Sequence, residues 1–493
     1  MTASDRDLPA VPLLDERPEL GIRDPARSDH HGKDVAQRHR RGSSLSAVVE
    51  DPPLSSDRVA DVTTAFPPPN GGPASSTREN LAAVEPLPDG LEELLARRMP
   101  DLVATRRHIH ANPELSGAEF STATLVAGQL TALGLRPRLL PKGNGVVCDI
   151  GSAEGPLVAF RADLDALPLA DVKDVPYRST VPGVCHACGH DVHTTILLGL
   201  APLLVRLAER GRLHGRARLI FQPAEEAVPS GAPEVIAAGG MEGVSSIFAV
   251  HCAPQFPVGA VGIRSGPLTA ASATLEIRVG GPGGHTARPH LTTDLVDLLG
   301  RLITDVPAQL ARRMDPRWPV SVVWGAVHAG EAFNTIPSRG HLRGTVRSHN
   351  REAWHDAGDM IMKLVPDLLS GTGAEVEVEY VQGFPPVVND KHAVDLIGAA
   401  AARALGHENV FEAEISMGSE DFSFYLERAP GAMIRLGVAP PGTTEQCDTH
   451  QPGFDVDERA IAHGVRVLAY TALAVVGAPE FRTPGGAAPE VAR

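Results

Sequence analysis

Apolar positions become periodic near Leu91. Leu91, Leu94, Leu95, Leu102 and Val103 recur at helical spacing and, with Arg106, predict an amphipathic helix running towards His110. Short apolar runs bounded by glycine or proline follow at Leu157–Phe160, Ala217–Phe221 and Ile247–Val250, and a long helical stretch covers Thr194–Arg210. Buried strands alternating with helices predict an α/β fold, a mainly parallel sheet flanked by helices.

The pattern changes from about Ala271. Ser272–Val279 reads as a strand, Thr292–Arg313 as a helix, and Pro319–Val327 and His341–Arg347 as strands. Glu352–Leu369 is helical, and the alternation Ala374–Val381 marks a half-buried strand. This order, βαββαβ, is a ferredoxin-like unit. Apolar patterns resume at Ala393–Ala402 and Ala432–Leu436, so the unit is expected as a satellite domain over 266–384. It would interrupt a main domain built from 89–265 and 385–478. Residues 1–80 carry ten prolines and one aromatic, Phe66, too little apolar surface to offset ordering entropy. Tails at 1–88 and 479–493 are therefore expected to be disordered.

Composition narrows the function classes. With 45 basic and 60 acidic residues in 493, the formal charge of −15 argues against nucleic acid or an anionic membrane surface as a partner. No apolar run reaches the roughly 18–20 residues that span a bilayer, and Met1–Asp15 has no signal-peptide core. Five cysteines are too few for a disulfide framework, so a cytoplasmic enzyme is expected.

Six groups able to bind metal or move protons fall within the nine residues from Cys185 to His193. Cys188 and His190, two apart, reach one ion if the backbone is extended there. The pair Cys185 and Cys188 also fits a thiol redox couple, and the histidines alone fit an ordinary polar loop. Adjacent Glu225 and Glu226 end a predicted strand. Two side-by-side anions need a nearby cation, and a metal lets one ligate while the other acts as base. His251 follows the run Ile247–Val250, and Asp163 and Asp165 follow Leu157–Phe160, so these groups converge at the C-terminal edge of parallel strands, where ligands bind. His450 lies far along the chain. The glycines of 280–284 lack the lysine of a phosphate loop, which leaves His285 to be explained; Asn334 and Arg347 sit at predicted strand ends.

Together, Arg107-His-Ile-His-Ala-Asn-Pro-Glu114, Phe160-Arg-Ala-Asp163-Leu-Asp165, His186-Ala-Cys-Gly-His-Asp191, Gln222-Pro-Ala-Glu-Glu226 and Glu420-Asp-Phe422 resemble the hippurate hydrolase and auxin-conjugate amidohydrolase group. That group is related to aminoacylases and to carboxypeptidases with two co-catalytic metals, and the resemblance runs from about Arg107 to Leu468. It implies Cys188, His190, Glu226, His251 and His450 as ligands of two divalent ions per subunit, whether manganese, zinc, cobalt or nickel. Glu225 falls on the general base and His285 on a satellite-domain histidine that in dimeric relatives reaches the neighbouring subunit's site. Asn334 and Arg347 match substrate-holding positions, and Asp163 and Asp165 support the ligands. Cys185 and the segment His251-Cys252-Ala253-Pro254 depart from the group's pattern. The expected activity is hydrolysis of N-acyl amino acids by a homodimer or larger homo-oligomer. A dipeptidase or carboxypeptidase and a non-catalytic binding protein are the rivals.

Overall fold

The computed structural model describes residues 87–443 and 447–477. The expected disorder of 1–88 and 479–493 lies outside these residues, except at its inner end. There Leu87, assigned to the tail, is buried in the core with Leu91 and Leu95.

The chain opens with α1 (Leu91–Ala111) and α2 (Phe120–Ala132), followed by β1 (Arg138–Leu139), β2 (Val146–Gly151) and β3 (Leu157–Asp163). Next come α3 (His190–Glu209), β4 (Arg216–Gln222), α4 (Ala232–Ala237), β5 (Ser246–Pro257), β6 (Val261–Ile263) and β7 (Gly266–Pro267). A second group holds β8 (Ala271–Gly280), β9 (Gly284–His285), α5 (Leu295–Arg313), β10 (Val320–Ala329), β11 (Thr335–Ile336), β12 (Arg339–Ser348), α6 (Arg351–Leu369) and β13 (Glu375–Gln382). The chain then runs through β14 (Val388–Asn389), α7 (Lys391–Leu405), β15 (Val410–Glu412), α8 (Ser423–Leu426), β16 (Gly431–Ala439) and α9 (Arg459–Val476).

The large sheet has eight strands in the order β1-β2-β4-β3-β5-β16-β6-β15. Its centre is parallel: β3 pairs with β4 and β5, and β5 with β16. Antiparallel pairs join β1, β2 and β4 on one side and β16 to β6 on the other. Both faces are covered, which is why these strands read as continuous apolar runs. Phe160, Phe221, Phe248 and Ile434 pack against Leu95, Ile196, Leu200 and Leu468 of the helices, whereas Ile220, Ile247 and Met433 meet Val235, Phe422 and Tyr425 on the opposite face.

The second sheet is antiparallel, in the order β10-β12-β8-β13. Leu275, Ile277, Leu342 and Val346 face a core with Leu298, Leu302 and Val306 of α5 and Ile361 and Val365 of α6. Asp294 caps α5 by accepting the Val296 and Asp297 amides at 3.2 Å. On the other face, Arg278 lies between Glu276, Glu377 and Glu379. The short pair β9 and β11 stands apart from both sheets.

Two sequence expectations need correction. His251 does not follow its strand but lies inside β5, and Arg161 and Asp163 lie inside β3. Among the described residues, two helices, α3 and α9, are long and apolar enough to cross a bilayer by length and composition. Their most apolar stretches are 83% and 67% buried inside the protein, so their apolarity serves the core.

Candidate active site

Gly189 lets two neighbours of one loop reach a single point. It sits at φ 88°, and a Cβ there would lie 2.7 Å from Cys252 Sγ, so both conformation and space demand glycine. Cys188 precedes this left-handed turn and His190 begins α3. The expected extended backbone is therefore replaced by a turn into a helix. One ligand atom from each of Cys188, His190 and Glu226 lies within 4.8 Å of the others.

The remaining candidates approach the same place. His251 Nε2 is 3.6 Å from Cys188 Sγ, while its Nδ1–H donates to the Cys252 carbonyl at 2.8 Å. His450, at φ 64°, is held by its amide to Ala187 O at 2.7 Å and sets Nε2 3.0 Å from Glu226 Oε1. Glu225 Oε2 lies 3.9 Å from His190 Nε2. Ala224, immediately before it, has φ 53° and donates its amide to buried Glu119 at 2.7 Å. That contact pins a backbone conformation that few L-residues adopt and so aims the carboxylates.

Supports stand behind these groups. Asp165 accepts from His190 Nδ1 at 3.2 Å and from the Glu226 amide at 2.9 Å. Asp163 lies 2.7 Å from His193 Nδ1 and 2.6 Å from Arg161. Asp191 pairs with Arg106 at 2.7 Å and His110 at 2.8 Å, tying α3 to α1. The buried Arg161 guanidinium also contacts Asp421 at 2.6 Å and Glu420 at 3.0 Å.

Electrostatics follow from this crowding. Burial pushes Glu225 well above the usual carboxylate range, reinforced by Glu420, Glu226 and Asp421. Burial likewise raises the Cys188 thiol, with Glu226 and Glu225 adding to it. Burial opposes charge on His190, but Asp163 and Asp165 win and lift it to about 10. Burial holds His251 well down, so its imidazole is neutral. A divalent cation fits these needs. It would take the place of protons on His190 and Cys188, and it would satisfy His190 Nε2, which is buried without a hydrogen-bond partner. Mixed sulfur, nitrogen and oxygen donors suit transition metals rather than calcium or magnesium.

The other expected site residues lie elsewhere. His285 is exposed on β9, opposite Thr335 of β11, and Asn334 O accepts the Thr286 amide at 3.2 Å, so His285 and Asn334 share one arm. Arg347, near the end of β12, donates to Met417 O at 2.5 Å, in the loop leading to Glu420. Sequence reasoning missed Arg161, Glu119 and His193 as supports. The motifs around Arg161 and Glu420 were visible, but nothing local says that they meet.

A thiol–imidazole–carboxylate cluster with a buried carboxylate beside it, at the C-terminal edge of parallel strands, defines a metal-dependent hydrolase. The chain belongs to peptidase family M20/M25/M40, whose profile matches residues 159–474. It is 36% identical over 377 residues to a Bacillus subtilis protein named N-acetylcysteine deacetylase, covering 76% of this chain and 97% of that one. A Rhodococcus jostii protein named "Putative glutamate–cysteine ligase 2-3" is 46% identical over 367 residues, 74% of this chain; this chain spans 46% of that longer protein. Among solved structures, the Bacillus subtilis YxeP protein, described as a dinuclear metal binding peptidase from the M20 family, superposes with a TM-score of 0.66 at 33% identity. The match covers 77% of this chain and 99% of that one.

Proposed function

We propose that this chain is a two-metal amidohydrolase that splits N-acyl amino acids into a carboxylic acid and a free amino acid. The observation that carries this reading is buried Glu225 beside the Cys188–His190–Glu226 cluster. The deacetylase name of one relative and the dinuclear metal description of a structural neighbour support it. Cys188, His190, Glu226, His251 and His450 would hold the two ions, whether manganese, zinc, cobalt or nickel. When bound, such ions polarise the scissile carbonyl and make water a nucleophile at neutral pH.

The chain's own residues do the rest. Glu225 takes the proton of the attacking water and returns it to the leaving nitrogen, a task suited to a carboxylate whose pKa burial has raised. His285 Nδ1 accepts the Ala287 amide at 3.0 Å, so the ring proton is on Nε2, free to donate to the developing oxyanion. Arg347 binds the amino acid's carboxylate through its remaining N–H groups, and Asn334 helps hold the substrate. Asp163 and Asp165 orient the ligand histidines. The second sheet closes over the edge of the large one to deliver the arm that bears His285, in a homodimer from one subunit to the other's site. A dipeptidase would need a carboxylate for the substrate's free α-amine. The acids beside Glu225, Glu420 and Asp421, are both engaged by Arg161, which favours an N-acyl substrate.

The test is amino acid release from N-acetyl and N-benzoyl amino acids and matching dipeptides, metal-free and with added manganese or zinc. Glu225→Ala serves as the blank. Metal-dependent release from the N-acyl series that the blank lacks is expected. Faster cleavage of the dipeptides, or release without metal, overturns the reading.

A further inference from the structure

Cys188 and His251 come from different elements, the loop before α3 and strand β5, yet hold Sγ and Nε2 3.6 Å apart. One buried residue spans those elements. His193, one turn into α3, has Nδ1 2.7 Å from Asp163 Oδ1, while its Nε2 accepts the Cys252 amide at 2.8 Å. An accepting nitrogen carries no proton, so the ring proton is on Nδ1 and is donated to Asp163. The next link lies on the same residue: the Cys252 carbonyl accepts from His251 Nδ1–H at 2.8 Å. The His193 ring also neighbours both other imidazoles, with ring centroids 5.2 Å from His251 and 5.5 Å from His190.

Asp163, His190 and His193 bring three ligand atoms within 4.8 Å, the composition of a further ion site. The hydrogen bonds oppose that use, because both His193 nitrogens are engaged. We infer that His193 is a positioning residue: by clamping the Cys252 amide to Asp163 it sets the distance between α3 and β5 and so aims His251 Nε2 at Cys188. Asp163 is itself fixed, by Arg161 at 2.6 Å and by Thr194 Oγ1 on its carbonyl at 2.7 Å. The inference rests on the proposed role of His251 as a ligand.

The test titrates the metal-free full chain with zinc or cobalt(II), by calorimetry and by the cobalt absorption spectrum. The wild type is compared with His193→Leu and His193→Gln. Glutamine keeps one acceptor and one donor, and leucine keeps neither. Weakening of one ion's affinity by about 10–100-fold is expected for leucine, with an altered cobalt spectrum, and recovery to near wild type for glutamine. Unchanged leucine affinity, or equal damage in both variants, overturns the inference. If the wild type itself takes up no ion, the metal reading falls with it. Should the leucine variant not fold, imidazole nitrogen NMR of the wild type decides. The Nδ1–H tautomer, unmoved by metal, supports His193 as a positioning residue; an Nε2–H tautomer or direct ligation overturns it.

Discussion

The edge of the large sheet and the β9–β11 arm are built on opposite principles. At the edge, side chains hold side chains: His190 rests on Asp165, and Arg161 gathers Asp163, Glu420 and Asp421. On the arm, His285 and Asn334 are exposed and held through main-chain contacts, and neighbouring Phe333 is 97% exposed. Groups that must meet a metal at fixed distance are preorganised, because ligand sets tolerate little error. A group that acts only when substrate arrives can wait on a less constrained element.

The comparison breaks most sharply at Glu225. On the proposed mechanism Glu225→Gln lowers kcat by about 10²–10⁴-fold with both ions retained, read by steady-state kinetics beside metal analysis. A variant with near-normal turnover removes the assigned base. On the arm, His285→Ala is expected to cost about 10²–10³-fold in kcat while leaving metal content and melting temperature unchanged. Mixing it with Glu225→Ala should restore activity if the arm serves the neighbouring subunit; mixed dimers without activity would place its action within one chain.

Gly189→Ala sharpens the claim that the edge is preorganised. The positive φ and the approach to Cys252 predict a loss of about 1–3 kcal/mol, read as a lower urea midpoint, together with weaker metal retention. An unchanged midpoint would mean that the turn relaxes freely. The smallest effect is one of pH. Burial holds His186 down to about 3 and His463 to about 4, so between those values and their ordinary pKa near 6.5 the unfolded chain binds protons the folded one does not. Stability from both is complete above about pH 6.5 and falls as pH drops below it. Melting temperatures of the metal-free protein from pH 7.5 to 4.5 should fall more steeply for the wild type than for His186→Phe. Parallel profiles would break the assignment for His186.

What the sequence made legible was local. The spacing from Leu91 to Arg106 marks α1, and apolar runs mark β3, β4 and β5, because periodicity and burial act over a few residues. The Cys188–His190 pairing was visible as spacing, but its mechanism was not, since a glycine turn at a helix start leaves little pattern. The contact of Arg161 with Glu420 and Asp421 was hidden: partners about 260 residues apart share no periodicity. The two-residue strands β9 and β11 are too short to signal themselves, so the sequence leaves His285 without an element of its own.

Strand β16 lies between β5 and β6, although the chain makes those two first. During synthesis, the 167 residues from 264 to 430 emerge before the strand that fills the gap. At typical elongation speeds that is roughly 8–33 s of exposed, unpaired edge. A nascent chain in this state is a template for mispairing with its neighbours on the same message, and a natural client for chaperones. His450 emerges later still, so the ligand set proposed here is complete only after β16 has been made.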